Sequence, residues 1–312
     1  MKNFKILVTL LVFASLQACN DLPVENDIPI DATTQFSTPD EFLESLKNPS
    51  QIFSIDASQT SSFTTKGGLE FTFKKNSFQD QRGNLVSGTV KIRIDEFLNY
   101  SDYIYSKMIT SGDGKLYESE VAFDIEATQS GNPVELVKMY NVEMDVPGTG
   151  YDVQKQAYLG ELLNSNETSW TEQDSDWIFI DTVQNFNRYN IEYEFLTICS
   201  FMSLVDLSNA SSVSVKLPDE CIANNTLFYV AIESESGTTM TMLWPEPTTK
   251  TFDHSSYIIP IGSKIKLLSV STIDGELYYS LTPSVVRANH FEKVPEIHKV
   301  SESDLADIIK NL

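Results

Sequence analysis

The segment from Lys66 to Val137 constrains the fold more than any other, because its apolar residues alternate. Leu69, Phe71 and Phe73 fall on one side, Glu70, Thr72 and Lys74 on the other. Val90, Ile92 and Ile94 alternate with Lys91, Arg93 and Asp95, and Val121, Phe123, Ile125 and Ala127 alternate with Ala122, Asp124, Glu126 and Thr128. A period of two places one set on a buried sheet face and the other in water. Turn-forming runs at 80–84 (DQRGN), 111–114 (SGDG) and 130–133 (SGNP) separate these strands. A strand that is apolar on one side needs a second layer to cover it, so the pattern predicts a sandwich of two antiparallel sheets.

The rest of the chain extends this reading. Residues 51–58 and 138–146 read as further strands of the sandwich, and strand patterns return at 191–202, 213–217, 226–233, 238–244, 258–271 and 276–282. Asp274-Gly275, between the last two, is a strong hairpin signal. Two short helices are expected. Thr38-Pro39-Asp40-Glu41 carries a cap, a first-turn proline and a capping-box glutamate, and Ser301-x-x-Asp304 precedes Leu305, Ile308, Ile309 and Leu312 at helical spacing. The fold class expected is therefore all-β: two antiparallel β-sandwich-like units, a short helix near the start and a C-terminal helix. The expected division is a first unit at 36–165, a junction at 166–190, a second β-rich unit at 191–298 and the helix at 299–312. No internal repeat is evident.

Residues 1–18 read as a signal peptide. Lys2 and Lys5 form a basic start, and the apolar run at 6–16 is too short to span a bilayer. Leu16-Gln17-Ala18-Cys19 resembles a bacterial lipobox, which makes Cys19 the expected lipidation site and an acylated N-terminal cysteine the expected link to the membrane. Residues 19–35 read as an acidic tether, with Asp21, Glu25, Asp27 and Asp31 beside Pro23 and Pro29. Loss of the signal peptide leaves 20 basic against 44 acidic residues, a formal charge of −24. Such an excess excludes nucleic acid, whose phosphates need a basic face, and excludes docking on anionic lipid by charge alone. Acyl chains would have to anchor the protein.

Several features of the alternating segment resemble the ZU5-like β-sandwich of lipoproteins in the Bacteroidetes lineage. They are Gly67-Gly68-Leu69, Asn76-Ser77-Phe78 with Gly83-Asn84, Val86-Ser87-Gly88 leading to Asp95-Glu96-Phe97, and a turn at Leu116…Glu118-Ser119 before Phe123, Ile125 and Ala127. The resemblance implies a fold and an outer-membrane location, on the periplasmic face or the cell surface, rather than an activity. In the same lineage Asp181-Thr182-Val183 resembles an O-glycosylation site at Thr182.

Catalytic signatures are missing. His254, His290 and His298 form no zinc-binding pattern, and no Gly-rich phosphate cradle or nucleophile elbow occurs, so no cofactor is expected. Some ZU5 proteins cleave themselves at His-Phe-Ser, but here His290-Phe291 precedes Glu292, which has no hydroxyl. Asp95-Glu96 and Glu172-Asp174-Asp176 could serve glycoside hydrolysis or bind calcium, but match no known loop and read as acidic surface. Trp170, Trp177 and Trp244 could stack on sugars or pack in the interior. Cys199 and Cys221 are either a disulfide, as an oxidising compartment allows, or two apolar core residues. The expected function is non-enzymatic: a lipid-anchored binding or structural module of the cell envelope, with an unknown protein or glycan partner. The alternatives are a glycan-binding accessory protein of polysaccharide uptake and a hydrolase with an unrecognised carboxylate pair.

Overall fold

A computed structural model describes residues 36–145, 154–163, 168–173, 178–181, 188–234, 237–253 and 258–312, with backbone only at 178–181. The signal segment and the tether, with Cys19, lie outside these residues, as do Trp177, Asp174, Asp176, Thr182 and His254. The fold is all-β, with sandwich-like packing and three short helices.

Strand β1 (Gln51–Asp56) opens the first sheet, whose order continues through Thr89–Phe97, Lys115–Gln129, Ile198–Leu204, Gln156–Leu162 and Thr168–Glu172. The second sheet runs Ile178–Asp181, Arg188–Tyr193, Tyr140–Asp145, then strand β3 (Glu70–Phe73) and strand β2 (Ser61–Thr64) at its edge. The alternation predicts the faces correctly at this interface. Phe71, Phe73, Val90, Ile92, Ile94, Phe123 and Ile125 are buried between the sheets, while Lys91 is exposed. Rings fill much of this core: Phe71 meets Phe123 edge-on at 5.1 Å, and Phe73 stacks on Tyr140 at 5.1 Å.

Two corrections concern chain tracing. Residues 191–202, read as one strand, are two. Arg188–Tyr193 lies in one sheet and Ile198–Leu204 in the other, so Tyr193 and Cys199 face the same core from opposite sides. The strands Thr168–Glu172, Ile178–Asp181 and Arg188–Tyr193 also fall at or beyond the expected junction, yet they pair into these two sheets.

The third correction concerns Leu116 to Ser119. This stretch is not a turn but the start of the long strand Lys115–Gln129. Phe201 pairs with Val121 and Met202 with Ser119, so Glu120 is the extra residue of a β-bulge. A bulge shifts the alternation by one. Tyr117, before it, and Ala122, after it, consequently point to the same outer face.

That outer face does not meet water along its whole length. It is covered by a middle layer containing helices α1 (Pro39–Ser45), α2 (Tyr100–Tyr105) and α3 (Glu302–Lys310). Thr38 caps α1 by accepting from the Glu41 N–H, while Glu41 accepts from the Ser37 N–H at 2.7 Å. Ser301 caps α3 in the same way through the Asp304 N–H, and Leu305 and Ile309 point inward. The sequence reading missed α2, which is short and rich in tyrosine. Its signal was Asn99, whose side chain accepts from the Asp102 N–H.

Beyond the middle layer lies a curled sheet of eight strands, with the order His290–Lys293, Val213–Lys216, Thr251–Asp253, Thr239–Glu246, Thr226–Ile232, Lys264–Ile273, Glu276–Val285 and His298–Lys299. Phe228, Val230, Ile265 and Leu267 fill its concave core, while Tyr229, Met242, Leu268 and Val270 face the helices. The hairpin at Asp274-Gly275 forms as expected, with φ of 53° and 79°, values natural to a type I′ turn. Ser119 and Thr238 exchange backbone hydrogen bonds of 2.9 and 2.8 Å, tying this sheet to the first. Residues 35–312 accordingly form one compact unit. No helix among the described residues is long and apolar enough to cross a membrane.

Candidate functional site

The middle layer covers only part of the first sheet. Where it ends, the uncovered sheet and the ends of α1 and α2 enclose a cleft of about 590 Å³. Its lining combines Asp95, Glu96 and Asp124 from the sheet with Asp102 and Tyr105 from α2. Lys47, Asn48 and Gln51 close one side, Lys66 and Gly67 another, and Leu98 and Leu162 add exposed apolar surface. A cavity of this size, part apolar and part polar, suits a small ligand or a side-chain cluster of a larger one.

The acids of the cleft are held by the protein itself. Glu96 accepts from Gln51 Nε2 at 2.6 Å, from the Gly67 N–H at 3.1 Å and from the Thr65 hydroxyl. A Cβ added at Gly67 would stand 2.7 Å from Glu96 Oε1 and 2.6 Å from Leu98 Cδ1, so the ends of both side chains would have to shift. Asp102 accepts from Asn48 Nδ2 and from the Leu98 N–H, both at 3.0 Å. Burial raises the Asp102 carboxyl above the usual carboxylate range, against the lowering effect of those two hydrogen bonds. Asp95 and Asp124 stand directly opposite each other on neighbouring strands, a repulsive pairing. Arg93 relieves it by bonding Asp95, Asp124 at 2.7 Å and Glu126 at 3.0 Å. The Arg93 hydrogen bond in turn lowers the Glu126 carboxyl.

Asp95 and Glu96 therefore do not form a facing pair. Consecutive strand residues project to opposite sides, and here one joins Arg93 while the other joins Gln51 and Thr65. Among the described residues, no group of three or more His, Cys, Asp or Glu has a metal-holding arrangement.

The other sequence-derived sites lie elsewhere. Trp170 is 5% exposed in the middle layer, so its ring does not present a face for sugar stacking. Trp244 is half-buried against the same layer. The indole N–H groups of both find no acceptor among the described residues. Of the two readings open for the tryptophans, interior packing is the one that Trp170 adopts. His290 is buried in an edge strand of the curled sheet, its Nδ1 accepting from the Arg287 N–H at 3.3 Å, and His298 is exposed against Tyr279.

The disulfide alternative for Cys199 and Cys221 is overturned, because both thiols are free. They belong to separate cores, Cys199 between the two sandwich sheets and Cys221 in the curled sheet. Cys199 lies 3.5 Å from the Tyr140 hydroxyl, and burial pushes its thiol up to about 12. Cys221 lies 3.8 Å from the Ser271 hydroxyl. Alkylation in denaturant without reductant is expected to label both residues by peptide mapping, whereas the native protein should label slowly at Cys199. Protection of both until reductant is added would contradict this arrangement.

The sequence reading found Asp95 and Glu96 but not the residues that surround them. Asn48, Gln51, Gly67 and Asp102 come from separate segments, and only the Asn99-x-x-Asp102 cap offered a local signal. No protein-family model matches this sequence, and no curated protein matches it.

Proposed function

We propose that this protein is a non-enzymatic, lipid-anchored module of the bacterial outer membrane that binds a partner through the cleft beside α2. The observation that carries the anchoring is the basic, then apolar, segment ending in Leu16-Gln17-Ala18-Cys19. Supporting the non-enzymatic reading, Glu96 and Asp102 are engaged by backbone and amide donors, and Asp95 and Asp124 by Arg93. General acid–base work needs a carboxyl group within hydrogen-bond reach of the proton it moves, and these groups are directed at protein donors instead. The partner is a protein or a glycan, and the ZU5-like resemblance in Bacteroidetes lipoproteins fits an envelope location. Glycan binding through stacked tryptophans loses support from the burial of Trp170.

The anchoring reading has a direct test. Cys19→Ser is expected to abolish metabolic acyl labelling and move the protein from the membrane to a soluble fraction. Undiminished labelling and membrane retention in the variant would refute it. For the cleft, an Asn48→Asp and Gln51→Glu variant, which sets carboxylates against Asp102 and Glu96, is expected to reduce pull-down of the partner from solubilised outer membrane.

A further inference from the structure

Strands β1 and β2 each end their sheet, and they meet at one corner of the sandwich. Among the described residues each is paired on one side only, β1 with Thr89–Phe97 and β2 with β3. Between them lies a groove of about 480 Å³. Phe53 and Phe63 stack there with ring centroids 4.0 Å apart, and Phe63 stacks in turn on Phe71 of the core at 5.4 Å. Ile52, next to Phe53, is 57% exposed.

Open strand edges recruit other strands, so proteins usually blunt them with lysine, proline, bulges or extreme shortness. Both edges of the curled sheet follow that rule. His298–Lys299 is two residues long and holds a lysine, and His290–Lys293 carries Glu292 and Lys293. The sandwich corner does not. From Gln51 to Ile55 and from Ser61 to Thr64 there is no charged residue and no proline, and β1 pairs with its neighbour without a register shift.

We propose that this corner is a strand-addition site for an extended segment of a basic partner protein. An unpaired strand edge is satisfied by alternating N–H and C=O groups at strand spacing, which a peptide backbone supplies. Every second side chain of the incoming segment would then enter the groove over Phe53 and Phe63. Charge selects the partner. The chain carries 44 acidic against 22 basic residues, which disfavours pairing with a second copy of itself. Asp56 closes β1, and the Ser58 hydroxyl and amide hold its carboxyl below the usual range, so it stays anionic beside the incoming strand. The groove shares no lining residue with the cleft, although β1 contributes Gln51 to the cleft at its other end.

The test uses the full chain in detergent and three synthetic peptides the length of β1. One alternates lysine and isoleucine, the second is the same peptide with alternate backbone nitrogens methylated, and the third alternates glutamate and isoleucine. The lysine peptide is expected to bind and to slow amide hydrogen exchange in β1 and β2. Methylation, which keeps the charge but removes strand hydrogen bonds, is expected to weaken binding by about tenfold or more. The glutamate peptide should bind more weakly still. Equal binding of the methylated peptide would reduce the effect to charge and overturn the proposal. Protection elsewhere, or no binding, would overturn it as well. Sedimentation without peptide covers the remaining case: concentration-dependent dimers with protected β1 amides would assign the corner to a second copy instead.

Discussion

Lys155→Ala is expected to destabilise the protein by about 3–5 kcal/mol, the cost of leaving a buried charge without its partner. Lys155 is bonded to Glu120, and the two side chains are 4% and 6% exposed. The bulge explains how a carboxylate comes to be there. Glu120 is the residue that opposes no partner on Ile198–Leu204, so the ladder does not fix its direction. Lys155, immediately before Gln156–Leu162, meets it. Removing the lysine strands the carboxylate, and removing both charges does not. Lys155→Met with Glu120→Leu is therefore expected to recover most of the loss, and such replacements elsewhere are often neutral or stabilising by about 1–4 kcal/mol. Denaturant melts of both single variants and the double variant test this. Additive losses across that cycle would mean that the two side chains do not act as a pair.

The second large effect is in the sandwich core. Ile92 is fully buried and pairs with Phe53 on one side and Ala127 on the other. Ile92→Ala should cost about 2–5 kcal/mol, from lost apolar transfer and a cavity that its neighbours fill only partly. Lys91→Ala, one residue earlier and exposed, should change stability by at most about 0.5 kcal/mol. Equal shifts in urea midpoint would place the wrong face inward.

The contrast between these two residues marks what the sequence makes legible. Where one face meets a core and the other meets water, alternation names both faces, as it does for Val90 to Asp95. Where both faces are buried, it does not. Ala122 was assigned to water because it alternates with Val121 and Phe123, yet it packs under the helical layer. Tyr193, Cys199 and Phe201 keep one parity across a change of sheet, because both sheets bury them in the same core, so the break at 194–197 left no mark. The run at 258–271 breaks at Gly262, with φ of 96°, which separates Ile259–Pro260 from Lys264–Ile273. The cleft was less legible still. Its acids were visible as charges, but Asn48, Gln51, Gly67 and Arg93, which hold those acids, are brought together only by the folded sheets and helices. The groove at β1 and β2 depends on which strands end their sheets, and strand order is not written locally.

The middle layer also sets the order in which the chain can become safe from its neighbours. Its apolar surface is contributed by α1 and α2 early, by Ile198 and Met202 midway, by Tyr229, Met242 and Leu268 later, and by Leu305 and Ile309 near the end. Tyr105 on α2 waits for a hydrogen bond to the Ala306 carbonyl, 201 residues on. During synthesis the sandwich can close around its own core while its outer face remains bare until those later strands and α3 arrive. Contacts so distant in sequence form slowly, and exposed apolar sheet is the surface that chaperones hold and that aggregation exploits. A nascent chain stopped before Leu305 would keep that liability, with its sandwich already folded.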